Sequence, residues 1–368
     1  MKHLVALAAV LMMALTGAVA LGAPAEAASS AVRLARPTAH HVGRSVVMTG
    51  KVKGHARKVH IQQRKNGRWV VVRTAAVRHG VYQVSLNAPA RTQLRASVAG
   101  RVSPTVVVAA AATDACGTVI KKADGTPWTC TFHDDFSGTA LDPAKWQPQT
   151  QFAMGTQAAH ACYRDDPANV NVAGGSLNLS VTKLTTPMSC SFGGLSGPTS
   201  YASGSVMTHG LFSQQFGRFE ARIKSTATSF PGLQESFWMW PDDRVKSSTS
   251  SLPWPFSGEM DVSETYSSHP TISIPYLHYN ASTALGVVTA WNCLAQRGVW
   301  NTYAAEWSAT KVQLFVNGRL CLTNTAASAA YLKPYILALS QGLGAAGNVY
   351  DGRAPLGTMS VDYVRVWK

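Results

Sequence analysis

An all-β chain of two successive sandwiches is what the amino-acid sequence predicts, on three observations. Apolar residues recur mostly at every second position in short runs, the period of a half-buried strand. Glycine and proline, 30 and 18 of 368 residues, interrupt these runs densely, and no window beyond the N-terminal segment carries a long amphipathic helix. The charge is also divided: residues 28–110 hold fifteen Lys/Arg and no Asp or Glu, whereas residues 111–368 hold seventeen of each sign. Nearly the whole net charge of +15 therefore belongs to the first part of the chain. Composition marks a boundary near residues 109–113, and the expected segments are 1–27, 31–110 and 114–368.

Residues 1–27 read as a secretory signal. Lys2 and His3 precede the apolar run Leu4–Leu21, and Ala25-Glu26-Ala27 is a small-x-small cleavage site. Thr16, Gly17 and Gly22 break the run, and no later stretch reaches about 18 uninterrupted apolar residues, so no membrane span is expected. The expectation is a secreted monomer, extracellular or cell-wall associated. All six cysteines lie between Cys116 and Cys321, an even number suited to an oxidising compartment. Pairing neighbours gives Cys116–Cys130, Cys162–Cys190 and Cys293–Cys321, one of fifteen connectivities, and none of the six has C-x-x-C spacing.

Residues 28–37 end in Pro37 and are expected to form a flexible lead. Strand-like runs follow at Ser45–Thr49, Lys58–Arg64, Trp69–Arg73, Gly80–Leu86, Gln93–Val98 and Thr105–Ala109. Val59 and Ile61 alternate with His60 and Gln62, and Asn66-Gly67 is a two-residue hairpin signal that Lys65 and Arg68 can widen. Such short strands in about 75 residues describe a small β-sandwich. With R-x-x-G-x-W at Arg64–Trp69, it resembles the immunoglobulin-like modules appended to secreted enzymes. Its acid-free surface suits an anionic wall polymer or acidic glycan; nucleic acid is disfavoured for an exported protein, and a solvated spacer is the equal alternative. Trp69 and Tyr82 are either sugar platforms or core residues.

Beyond Cys116, Gly174–Val181 places Leu177, Leu179 and Val181 on one face, and Ser205–His209 is a further strand. In Phe216–Lys224, Phe219, Ala221 and Ile223 oppose Arg218, Glu220, Arg222 and Lys224, so one face packs on a core and the other is charged. Two packed antiparallel sheets satisfy these patterns. Asp242–Pro255 is a polar Ser/Pro loop, and Asn317-Gly318 is a hairpin turn.

Ser257–Tyr266 reads S-G-E-M-D-V-S-E-T-Y, three acids within a strand-like run. Glu259 and Asp261 share a face, but Glu264 has the wrong parity unless a bulge at Val262 or Ser263 restores it. Three carboxylates on one face repel, so a fold gains little from them without a use. A solvated acidic edge or a cation site is the plain alternative. A retaining glycosidase, in contrast, needs two carboxyl groups about 5–5.5 Å apart. E-M-D-V-S-E resembles the E-x-D-x-x-E active-site signature of family 16 glycoside hydrolases, the group containing laminarinases and related endo-glucanases.

The resemblance extends from Cys116 onward. Asp134–Trp146 resembles the family's opening strand and first turn, Pro231–Pro241 its P-G-x-x-x-x-F-W segment, Tyr276–Asn280 its histidine-bearing strand, and Trp300–Leu320, Tyr331–Leu343 and Val361–Trp367 its later strands. It implies a β-jelly-roll (concanavalin-like) fold with a concave sheet lining the cleft. It also implies a retaining endo-acting β-glycoside hydrolase in which Glu259 is nucleophile, Glu264 acid/base and Asp261 the carboxylate between them. Trp238, Trp240, Trp254, His278 and Trp300 are the implied substrate contacts. β-1,3- or mixed β-1,3/1,4-glucan is the implied substrate. A galactan or a transglycosylase outcome within the family, and a non-catalytic lectin-like protein tethered to a wall polymer, are the alternatives. No cofactor is required, while Asp362 and acids of the opening strand lie where many members hold a structural calcium. Three positions depart from the family: Glu235 puts a charge where a small or aromatic residue is usual, at the expected cleft rim; Asn280 replaces a glycine; Asn301 replaces a histidine.

Overall fold

The computed structural model describes residues 32–42, 45–108, 113–151, 153–156, 159–191, 195–345 and 347–368. The signal segment 1–27 and most of the 109–113 boundary lie outside the described residues. The chain forms two compact units, divided between Ala111 and Ala112.

The first unit is all β. One sheet pairs Arg33–Leu34 and Thr38–Val42 in succession along Ser45–Lys53, with Val81–Leu86 paired along the opposite edge of that strand. The other runs Arg68–Ala76, Lys58–Lys65, Gln93–Val98, Arg101–Val102, with Val106–Val107 on Gln93–Val98. Alternation puts Val46 and Met48 of the first sheet and Val59, Ile61, Leu94 and Ala96 of the second into one core. Lys65 pairs directly with Arg68, so the hairpin is not widened: Asn66 and Gly67 (φ 48° and 78°) make a two-residue turn. Arg33–Leu34 is a strand paired with Val52–Lys53, not a flexible lead. A two-residue strand has no periodicity by which to be recognised. Tyr82 is a core residue lying across Gly50, while Trp69 stands outside with the Arg95 guanidinium 4.2 Å over its ring.

The second unit is a sandwich of two antiparallel sheets. In the eight-stranded sheet the order is Val170–Ala173, Ser176–Ser180, Thr358–Trp367, Gly217–Lys224, Asn301–Trp307, Val312–Val316, Arg319–Asn324, with Cys130–Asp134 also on Thr358–Trp367. In the six-stranded sheet it is Gln147–Pro148, Ser205–Met207, Tyr335–Leu343, Leu233–Pro241, Glu259–Tyr266, Tyr276–His278. Phe219, Ala221 and Ile223 of the first sheet meet Phe237, Met239, Met260, Leu337 and Leu339 of the second in one core. Tyr335–Leu343 is buried along its whole length. Tyr335, Leu337 and Leu339 enter the core, while Ile336 and Ala338 pack with Met207, Trp238 and Trp240 on the opposite face. Three disulfides, Cys116–Cys130, Cys162–Cys190 and Cys293–Cys321, span Cα distances of 5.6, 5.8 and 5.3 Å. Among the described residues no helix is long and apolar enough to cross a membrane.

Candidate active site

The three carboxylates meet because the strand that carries them is bulged. Phe237 pairs with Ser263 and Trp238 with Asp261, which leaves Val262 as the extra residue. Val262 and Met260 both point into the core. Cross-strand partners share a face, so Trp238 marks the face of Asp261 and Ser236 that of Glu264. Ser236 and Trp238 are two apart, and the parity of Glu264 is thereby restored.

Each carboxylate has its own donors. The Trp254 indole donates Nε1–H to Glu259 Oε2 at 2.6 Å, and His278, paired with Glu259 across the strands, brings Nε2 to 3.1 Å from Asp261 Oδ2. Glu264 Oε1 accepts from Gln234 Nε2 at 2.6 Å and from the Tyr266 hydroxyl at 2.9 Å. The His278 ring stacks on Tyr276 (4.2 Å, 18°) and lies 4.9 Å from Trp254. Among the described residues no lysine or arginine pairs with any of the three acids.

Electrostatics follow from that isolation. Burial pushes Glu259 and Asp261 well above the usual carboxylate range, and Glu264 above it, because a charge stripped of water is costly. The neighbouring Asp261 charge pushes Glu259 further up, and Glu264 does the same to Asp261. For His278 burial lowers the pKa, outweighing the opposing pull of Glu259 and Glu264. Three close acids of this kind share protons as a set.

Trp238 and Trp240 stand on the same face as the acids, edge to face at 6.1 Å, with Trp238 Nε1 donating to Ser340 Oγ at 3.0 Å. Trp254, 54% exposed, overhangs Glu259 from the Asp242–Pro255 loop. Trp300 does not join them. It packs under Arg222 and Lys224, whose strand turns that face away from the core of the other sheet, so its expected substrate contact is corrected. Glu235 is likewise not at the cleft rim. It sits on the core face, 2% exposed, gripped by both terminal nitrogens of Arg297 at 2.6 Å and by the Thr265 hydroxyl at 2.7 Å. Asn301 is occupied structurally, donating to the Gln296 and Val299 carbonyls. Gln234 and Tyr266 were not singled out as donors in the sequence, although their parity with Trp238 and Glu264 carries the signal.

The calcium expectation fares poorly on the residues present. Asp362 binds Arg222 at 2.7 Å, Asp135 binds Arg365 at 2.9 Å, and Asp134 accepts from the Trp146 indole at 3.0 Å and the Phe136 amide at 2.9 Å. Carboxylates already engaged by cations and N–H donors do not make the oxygen cage that calcium needs. Among the described residues three other groups have metal-ligand spacing; two contain disulfide cysteines, and the third is Glu259, Asp261 and His278, whose ligand atoms lie within 4.8 Å of one another.

Comparison with known proteins bears on the same region. The chain is 27% identical over 269 residues to glucan endo-1,3-beta-glucosidase A1 of Niallia circulans, a match covering 64% of this chain and 37% of that protein. It is 26% identical over 253 residues to keratan-sulfate endo-1,4-beta-galactosidase of Sphingobacterium multivorum, covering 66% of this chain and 56% of that protein. The chain thus spans little more than a third to just over half the length of these two curated relatives. The solved laminarinase of Rhodothermus marinus shares the fold, with a TM-score of 0.53 at 24% identity over 66% of this chain and 97% of that one. Residues 156–365, more than half of the chain and including the bulged strand, match the model of glycosyl hydrolases family 16, and the protein belongs to that family.

Proposed function

We propose that the protein is a secreted, endo-acting, retaining β-glycoside hydrolase whose substrate is a β-1,3- or mixed β-1,3/1,4-glucan. One observation supports it most: three buried or half-buried acids share one face of a bulged strand, and among the described residues no lysine or arginine neutralises them. A fold that needed them only for stability would supply cations. In this reading Glu259 attacks the anomeric carbon, and the Trp254 N–H stabilises the carboxylate it needs to be. Glu264, with its pKa raised by burial, protonates the departing glycosidic oxygen and then takes the proton of the incoming water. Asp261, held by His278, shares hydrogen bonds or a proton with Glu259 and tunes its charge. Trp238, Trp240 and Trp254 offer indole faces to the apolar faces of the sugar rings.

Galactan hydrolysis is the second reading, favoured by the similarity to the keratan-sulfate galactosidase, and a transglycosylase outcome uses the same acids. A lectin-like role has no use for the carboxylates in register. For the first unit, an immunoglobulin-like module that tethers the enzyme to an anionic wall polymer is supported by its fifteen cations and absent acids.

Incubation with a panel of β-glucans and galactans, followed by product sizing, names the linkage. Glu259→Gln is expected to stop oligosaccharide release while polysaccharide binding persists; full activity in that variant refutes the assignment.

A further inference from the structure

A pocket of about 280 Å³ opens between Trp240 of the sheet and Trp254 of the overhanging loop, the tryptophan that donates to Glu259, with Ser257, Lys246 and Lys333 in its wall. Lys333 precedes the central strand Tyr335–Leu343 and is 2% exposed. Its ammonium donates to the Thr249 hydroxyl at 2.9 Å, and among the described residues no carboxylate pairs with it. The two acids in the same wall are committed elsewhere: Asp242 accepts from Arg244 Nε and Nη2 at 2.8 and 2.7 Å and also from Ser213, and Asp243 takes His209 Nε2 at 2.8 Å. Burial holds Lys333 below the usual lysine range. Buried charges are ordinarily paired, because desolvation is otherwise uncompensated.

We propose that this pocket is a subsite for a sugar residue bearing an oxyanion, a carboxylate or a sulfate ester, whose charge pairs with Lys333. The two indoles supply the flat apolar walls that a pyranose ring uses, and the ammonium supplies the one strong polar contact that fixes its orientation. The inference rests on the glycan-cutting reading of the neighbouring acids and narrows its substrate to a polysaccharide with acidic substituents.

The test compares hydrolysis of β-1,3-glucan with that of its carboxymethyl and sulfate derivatives by the full chain. Assays run in about 0.5 M salt, which screens the exposed cations of the N-terminal unit but a buried pair much less. At least one charged derivative is expected to exceed the neutral polymer in kcat/KM by about tenfold, equivalent to about 1.4 kcal/mol. Preference for the carboxymethyl form alone assigns a carboxylate, and for the sulfate alone a sulfate. The ratio should fall towards one in Lys333→Met and persist in Lys333→Arg. A wild type without preference, or an unchanged ratio in Lys333→Met, overturns the proposal. If no glucan is cut at all, the substrate reading fails separately. Calorimetry with uronate and sulfated galactan oligosaccharides on Glu259→Gln then decides, and equal binding with and without Lys333→Met overturns the subsite.

Discussion

Glu235 is buried on one face of two adjacent strands, the acids Glu259, Asp261 and Glu264 are buried or half-buried on the other, and they are kept in opposite ways. Glu235 receives a guanidinium that meets both of its oxygens at 2.6 Å, plus the Thr265 hydroxyl. The cleft acids receive an indole, an imidazole, a carboxamide and a phenol, and among the described residues no lysine or arginine. A bidentate arginine makes a carboxylate an inert fixture. Neutral donors orient it and leave its proton available for exchange. Within one sheet, the chemistry of the partners separates an acid that holds the fold from acids poised to react.

Substitutions test that contrast, most severely at Glu264. Glu264→Gln should reduce polysaccharide hydrolysis by about 10²–10⁴-fold. Aryl glycosides whose leaving group needs no proton should lose much less in the first step; equal losses on both would deny Glu264 the acid role. On the other face, Arg297→Met strands a buried carboxylate and should cost about 3–5 kcal/mol in urea unfolding. The double change Glu235→Met with Arg297→Met should recover most of it, and a double variant as unstable as the single one would make the pair more than a neutralised fixture.

Trp254→Phe keeps the ring but removes the N–H at Glu259. The loss of one hydrogen bond to a charged group is worth about 1.5–3 kcal/mol, so kcat/KM should fall about tenfold or more. That bond holds the Glu259 pKa down, so its removal should also shift the acid limb of the pH profile upward. An unmoved limb would separate Trp254 from the carboxylate. The smallest effect is on stability. The cleft acids have folded pKa values above their unfolded ones, so the folded chain binds more protons and stability falls as pH rises above about 4.5. Each unit of upward shift is worth about 1.4 kcal/mol at high pH. Glu259→Gln should therefore raise Tm relative to wild type more at pH about 7.5 than at about 4.5; a gain that is the same at both would mean Glu259 titrates normally.

Much of the site was legible because it is local. The parity failure of Glu264 pointed to a bulge, and the bulge is at Val262. Alternation located most strands, and neighbouring cysteines pair. What escaped is long-range. Arg297 lies 62 residues from Glu235, and nothing in either neighbourhood announces the other. Family position puts Glu235 at the rim, whereas parity with Phe237 and Met239 assigns it to the core side. Trp300 shows the same limit, since a tryptophan at a matching position says nothing of which sheet face it covers. Gln234 lacked any motif, but counting in twos from Trp238 reaches it.

The central strand Tyr335–Leu343 also sets when the sheet that carries the three acids can form. Its partners are Ser205–Met207 and Leu233–Pro241, both drawn from chain made about a hundred residues or more earlier. The floor beneath the acids cannot close until Tyr335–Leu343 has been made, and such non-local pairing makes folding slow, on the order of milliseconds to seconds. The carboxylate strand is made well before the strand that completes its sheet. The surface that brings the three acids together is therefore completed only once Tyr335–Leu343 is in place.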